Sequence, residues 1–133
     1  MHPRVAEEWS EVVSVYRTAR HEDDPERIEV DLDLESGTYN GTTTPIAVLI
    51  PAGYRATSPD GFLIPPGLTF ADGSGLPVSD ATGVGMPGWF LVSFHLIDER
   101  GTSTWRPTVD FRRGDNFVSY LGSIESFLAR RCN

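Results

Sequence analysis

The chain contains no lysine. All eleven of its basic residues are arginine, so it offers no side-chain amine for acylation. Cysteine occurs once, as Cys132, and a disulfide framework needs at least two thiols. That single thiol and the scattered histidines His2, His21 and His95 give no zinc-ligand spacing, so neither a metal nor a cofactor is expected. Long apolar runs are missing too. None approaches the ~18 residues of a membrane span. Met1 to Trp9 carries charges without the apolar centre of a secretory signal, which makes a cytoplasmic location the expectation. Positive charge is scarce: 19 acids against 11 bases leave a formal charge of −8. Such a surface repels phosphate backbones, so nucleic-acid binding is not expected, and basic protein partners are favoured.

What is present suits one domain over residues 1–133. Apolar residues make up 39% and aromatics 11%, enough for a core without disulfides. Val5, Trp9, Val12, Val13 and Tyr16 recur at helical spacing and predict a helix over 5–20. Ile28, Val30, Leu32 and Leu34 alternate with Glu29, Asp31, Asp33 and Glu35, which predicts a strand over 27–35 with an acidic, solvated face. The apolar run from Pro45 to Ile50 predicts a central strand covered on both sides.

From Pro51 to Gly88 the chain is dense in proline and holds eight of its thirteen glycines. Only Phe62–Ile64 reads as a strand there; the rest predicts turns and a long loop. A further strand is expected over 89–97. A last helix is expected over about 116–131, with Asn116 as its N-cap. The order of elements is that of an α+β domain, a sheet of short strands between two terminal helices.

Several clusters carry possible chemistry. The acidic strand face spaces its carboxylates roughly 6.5–7 Å apart, too far for a calcium site. Asp72-Gly73-Ser74-Gly75 lacks the glutamate of an EF-hand and the lysine of a phosphate loop, so it reads as a turn. His95 shares a strand face with Ser93, and Asp60 or Asp110 could orient its ring. Cys132 has Arg130 and Arg131 beside it but sits at a chain end, where an inert tail is expected.

A resemblance adds to this reading. Pro51-Ala52-Gly53-Tyr54, Ser58-Pro59-Asp60-Gly61-Phe62 and Pro65-Pro66 resemble the flap of the E2 ubiquitin-conjugating (UBC) superfamily. Trp105-Arg106-Pro107 is similar to its Trp-x-Pro, and Ser119–Leu128 to the helix that follows. Phe70-Ala71-Asp72-Gly73 with Pro77 and Asp80, Trp89…Ser93-Phe94-His95, and Trp105 through Asp110 narrow the resemblance to prokaryotic E2 family E. It is strongest over residues 44–128.

The resemblance implies a UBC-like fold: an antiparallel four-stranded meander flanked by N-terminal and C-terminal helices. It implies a ubiquitin-like protein and an E1-like adenylating enzyme as partners, with a JAB-type peptidase often alongside, in gene sets associated with anti-phage defence. Conventional E2 enzymes hold a cysteine shortly before the Trp-x-Pro. Here no cysteine lies between Trp89 and Trp105, and His95 falls near its place. Without a thiol no thioester forms.

Three functions are therefore expected candidates. The first is an E2-like module that docks a ubiquitin-like protein or its E1 through Tyr54, Phe62, Leu68, Trp89 and Trp105, with Val5–Arg20 facing the E1. The second is a transferase using His95, oriented by Asp60 or Asp110, with Ser93 as a weaker acceptor. The third is a small regulatory domain whose long loop binds an unrelated protein.

Overall fold

The computed structural model describes all 133 residues, Met1–Asn133. Helix α1 spans Pro3–Val15. Its start is built twice: the His2 ring accepts the Arg4 N–H at 3.2 Å, and Pro3 supplies a fixed φ where no N–H is needed. Val5, Glu8 and Val12 are buried on one stripe together with Arg4. The helix stops at Tyr16, whose backbone is extended, five residues short of the expected Arg20 boundary. The chain then enters β1, Arg20–Glu22, whose first residue the predicted helix includes.

The sheet continues with β2 (Arg27–Asp33), β3 (Thr43–Leu49), β4 (Phe62–Ile64), β5 (Val78–Asp80) and β6 (Phe90–Val92). Its order is β1-β2-β3-β4-β6-β5, antiparallel at every pairing. The first four strands form a meander, and β6 and β5 extend it to six. The predicted 89–97 strand pairs only over Phe90–Val92. Its alternation outlasts its ladder: Phe94 stays buried while Ser93, His95 and Ile97 face outward.

Ile28, Val30, Leu32, Ile46, Val48, Phe62, Ile64 and Val92 form the principal core with the helices. Against them lies α2, Phe117–Ala129, with Phe117, Tyr120, Leu121, Ile124 and Leu128 buried. Asn116 and Ser119 make a reciprocal capping box at its start. Each fully buried large apolar side chain contributes roughly 1.5–3 kcal/mol, so this stripe accounts for much of α2's docking.

The opposite sheet face is not bare. Ala47 and Leu63 are buried there with Ala81 and Met86, flanked by Leu49, Trp89 and Leu91. Residues 81–89 of the glycine-rich stretch thus fold back as a second layer, which explains why β3 is apolar on both faces. The acidic face is wet only in part. Glu29 is buried, gripped by Arg20 at 3.4 Å and Arg27 at 2.8 Å, while Asp31, Asp33 and Glu35 are exposed.

The two helices meet through a buried carboxylate. Glu8 is 1% exposed. It accepts from Arg4 Nε at 3.1 Å, from the Tyr54 hydroxyl and from the Phe117 N–H at 2.7 Å. That last donor is the first residue of α2, where the helix dipole favours an anion. Arg4 also donates to the Val109 and Thr108 carbonyls at 2.7 and 2.8 Å, tying α1 to the segment before α2.

Candidate functional site

His95 is set by what lies beneath it. Phe94 is buried among the rings of Phe127, Tyr120 and Phe62, at centroid distances of 4.9, 5.7 and 6.1 Å. With Phe94 pinned inward, extended backbone turns Ser93 and His95 outward. Gly61 locks the facing strand to this one. Its N–H donates to the Phe94 carbonyl at 3.1 Å, and its carbonyl accepts from the Tyr120 hydroxyl at 2.8 Å.

The result is a linear arrangement. Asp60 Oδ1 lies 3.3 Å from His95 Nδ1, and Ser93 Oγ lies 3.2 Å from Nε2. An ionised carboxylate only accepts, so Nδ1 carries the proton in the neutral ring and Nε2 accepts from Ser93. This geometry can hold one imidazole tautomer and draw a proton from the Ser93 hydroxyl or from a group that displaces it. It stands in the open: the His95 and Asp60 side chains are 56% and 84% exposed.

Two shallow clefts flank the ring. One, of about 370 Å³, is lined by Thr57, Ser58, Pro59, Asp60, Ile97 and Ser103 among others. The other, of about 240 Å³, runs along Leu96 and Thr104 to Ser123, Ser126 and Arg130 of the α2 end. Ile97 lines both and is 54% exposed, an apolar side chain left facing solvent beside the imidazole.

Of the two acids considered as orienting partners, the structure brings only Asp60 to His95. Asp110 is committed elsewhere: it caps the turn Phe111–Arg113 by accepting the Arg112 N–H at 3.1 Å and faces Arg113 at 3.7 Å. The expected docking residues also divide. Phe62 is fully buried, and Tyr54 and Trp105 are 6% and 5% exposed. Their rings build the core and present no surface. Tyr54 packs on Phe117 at 4.9 Å, and Trp105 Nε1 donates to the Arg55 carbonyl at 2.7 Å. Burial and the Glu8 carboxylate push the Tyr54 phenol pKa well above its ordinary value. Leu68 and Trp89 are half-buried in different layers, the first against the main core and the second on the opposite sheet face.

Cys132 is not a loose tail. Its N–H donates to the Phe127 carbonyl at 2.9 Å, and Sγ sits 3.9 Å from the Tyr39 hydroxyl. Burial raises the thiol pKa, with the Tyr39 hydrogen bond opposing it. Arg131 does not help ionise the sulfur; its guanidinium lies over the Phe70 ring at 4.7 Å.

The spacing of His21 in the sequence gives no metal-ligand pattern, and the turn between β1 and β2 departs from that expectation. There His21, Asp23 and Glu26 bring one ligating atom each to within 4.8 Å of one another. The residue types are visible in the sequence, but their convergence exists only once the hairpin closes.

Comparison with protein families, with curated proteins and with solved structures finds no match.

Proposed function

We propose that this chain is an E2-like component of a ubiquitin-like modification pathway, docking a ubiquitin-like protein or its E1-like enzyme at the His95 surface without a cysteine thioester. The observation that carries this reading is the placement of His95 between two open clefts, with Asp60 and Ser93 on its nitrogens and exposed Ile97 beside it. An apolar side chain next to hydrogen-bonding groups on an exposed segment is a chemically suitable place for a protein partner. The element order supports the UBC-like reading: a helix, a β1–β4 meander and a closing helix, with the Trp105 loop between sheet and α2. The one thiol is occupied at Tyr39, so thioester chemistry has no support at the His95 site.

The surface differs from the one expected. Tyr54, Phe62 and Trp105 act beneath it, holding Asp60 and the 95–105 segment in place; His95, Ile97 and Leu96 form the contact face. Co-purification with a ubiquitin-like protein and an E1-like enzyme from the same source tests the reading. An Ile97→Asp variant should lose the complex while keeping the wild-type melting temperature. No complex for the wild type at micromolar concentrations overturns it.

The Asp60–His95–Ser93 line favours a second reading, acyl transfer through imidazole or the Ser93 hydroxyl. In that case Ser93 Oγ attacks the acyl carbon of the adenylate, the acyl–phosphate bond breaks, AMP departs and the hydroxyl proton passes to His95 Nε2; if Nε2 itself attacks, AMP departs likewise and the ring gives its Nδ1 proton to Asp60. Incubation with ATP and the E1-like enzyme should then give an adduct absent from His95→Ala, resistant to thiols where the acyl group rests on Ser93 Oγ and cleaved by them where it rests on Nε2. Transfer by His95→Ala at the wild-type rate rejects this mechanism.

A further inference from the structure

We propose that the β1–β2 turn is a divalent transition-metal site, with His21, Asp23 and Glu26 as ligands to a zinc-class ion. The three ligating atoms already lie within 4.8 Å of one another, and His21 Nε2 stands 2.7 Å from Glu26 Oε2. Ligands about 2.0–2.2 Å from such an ion sit roughly 3.4 Å apart. The His–Glu pair therefore opens slightly to admit it, and Asp23, exposed on the turn, swings in.

Two of the three ligands are held by the fold. His21 pairs across the ladder with Ile28, and its ring meets the Trp9 ring edge-on at 6.3 Å. Glu26 accepts the His2 N–H at 2.7 Å. A carboxylate has lone pairs enough to keep that bond while it binds an ion.

Charge favours the same conclusion. The turn carries Glu22, Asp23, Asp24 and Glu26. Its neighbouring cations, Arg20 and Arg27, both pair with the carboxylate of Glu29, and Arg27 also donates to the Asp23 and Pro25 carbonyls, so four carboxylates face a single guanidinium at the turn. The excess negative field draws cations to the turn. One imidazole with two carboxylates suits zinc, cobalt or manganese better than magnesium or calcium, which take oxygen alone. Because Glu26 also holds the first turn of α1 through His2, a bound ion clips the β1–β2 hairpin to the N-terminal helix.

The experiment is calorimetric titration of the full chain with ZnCl₂, paired with thermal melts. We expect one equivalent to bind and to raise the melting temperature, since the unfolded chain lacks the site. Asp23→Asn should weaken binding by about tenfold or more while melting as the wild type does without zinc, because Asp23 takes no part in the His21–Glu26 hydrogen bond. His2→Asn keeps a competent N-cap and should bind zinc as the wild type does, which separates this site from a chelate of the terminal amine and His2. Absence of one-equivalent binding at about 100 µM zinc, unchanged affinity in Asp23→Asn, or loss of binding in His2→Asn overturns the proposal.

Discussion

The Tyr54 hydroxyl donates to both oxygens of the Glu8 carboxylate, at 3.0 and 2.8 Å, inside a core closed to water. The same carboxylate holds Arg4 and the first N–H of α2, so α1, the Tyr54 turn and α2 converge on one side chain. Removing one partner of a buried ion pair leaves the other uncompensated, at about 3–5 kcal/mol. Glu8→Ala should lose that much in urea unfolding. Tyr54→Phe should lose about 1.5–3 kcal/mol, the range for a hydrogen bond to a charged group. The double variant should lose less than the sum, since both act on one network.

Strong alkali should unfold the protein through its phenols. All four tyrosines, Tyr16, Tyr39, Tyr54 and Tyr120, have pKa values raised by burial. A raised folded-state pKa stabilises the fold fully below the unfolded value of about 10. That contribution falls as the pH rises past it, because the unfolded chain releases phenolic protons that the folded chain retains. Ultraviolet titration should show phenolate appearing together with loss of the near-ultraviolet dichroism, not before it. Tyr54→Phe should make the alkaline decline shallower.

Two glycines should respond in opposite ways to alanine. Gly61 has φ +66, and a Cβ there would come within 2.6 Å of the Val92 carbonyl. Gly61→Ala should cost more than about 2 kcal/mol and shift the ring resonances of His95, whose partner Asp60 it positions. Gly122 lies inside α2 with open space where a Cβ would go. Gly122→Ala should stabilise by about 0.5–1 kcal/mol. Denaturant melts of both variants check the pair.

Cys132 should react slowly. Its thiol pKa is raised, and the thiolate is the reactive form. Alkylation by iodoacetamide near pH 8 should be slower in the native chain than in the denatured one, and Cys132→Ser should leave partner binding unchanged. A native rate equal to the denatured rate would show the sulfur to be free.

The elements with a strong period were legible in the sequence. The Ile28–Leu32 alternation and the α2 stripe from Phe117 to Leu128 appear where expected, because one buried face imposes its spacing on both. Strands β1 and β5 were not legible. Arg20-His21-Glu22 and Val78-Ser79-Asp80 are three-residue edge strands without a buried alternation, held by backbone pairing that side-chain chemistry does not announce. The 89–97 strand was read too long because alternation reports burial and not pairing; Phe94 is buried beyond the end of the ladder.

At the site, His95 and Ser93 were legible as neighbours on one face, but the choice between Asp60 and Asp110 was not. It depends on the Gly61–Phe94 bond across the sheet. The aromatic positions taken for a contact surface turned inward because Trp105, Tyr54 and Phe62 supply the volume between sheet and helices.

The reach of Glu8 across 109 positions to Phe117 also has a bearing on biosynthesis. Helix α1 carries an anion whose shelter, begun by Arg4 and Tyr54, is completed only by an N–H translated 109 positions later. While the nascent polypeptide is short, that helix has no dry place to dock, and the meander waits half-covered. Docking of α1 is therefore a late event, completed only once α2 has emerged from the ribosome.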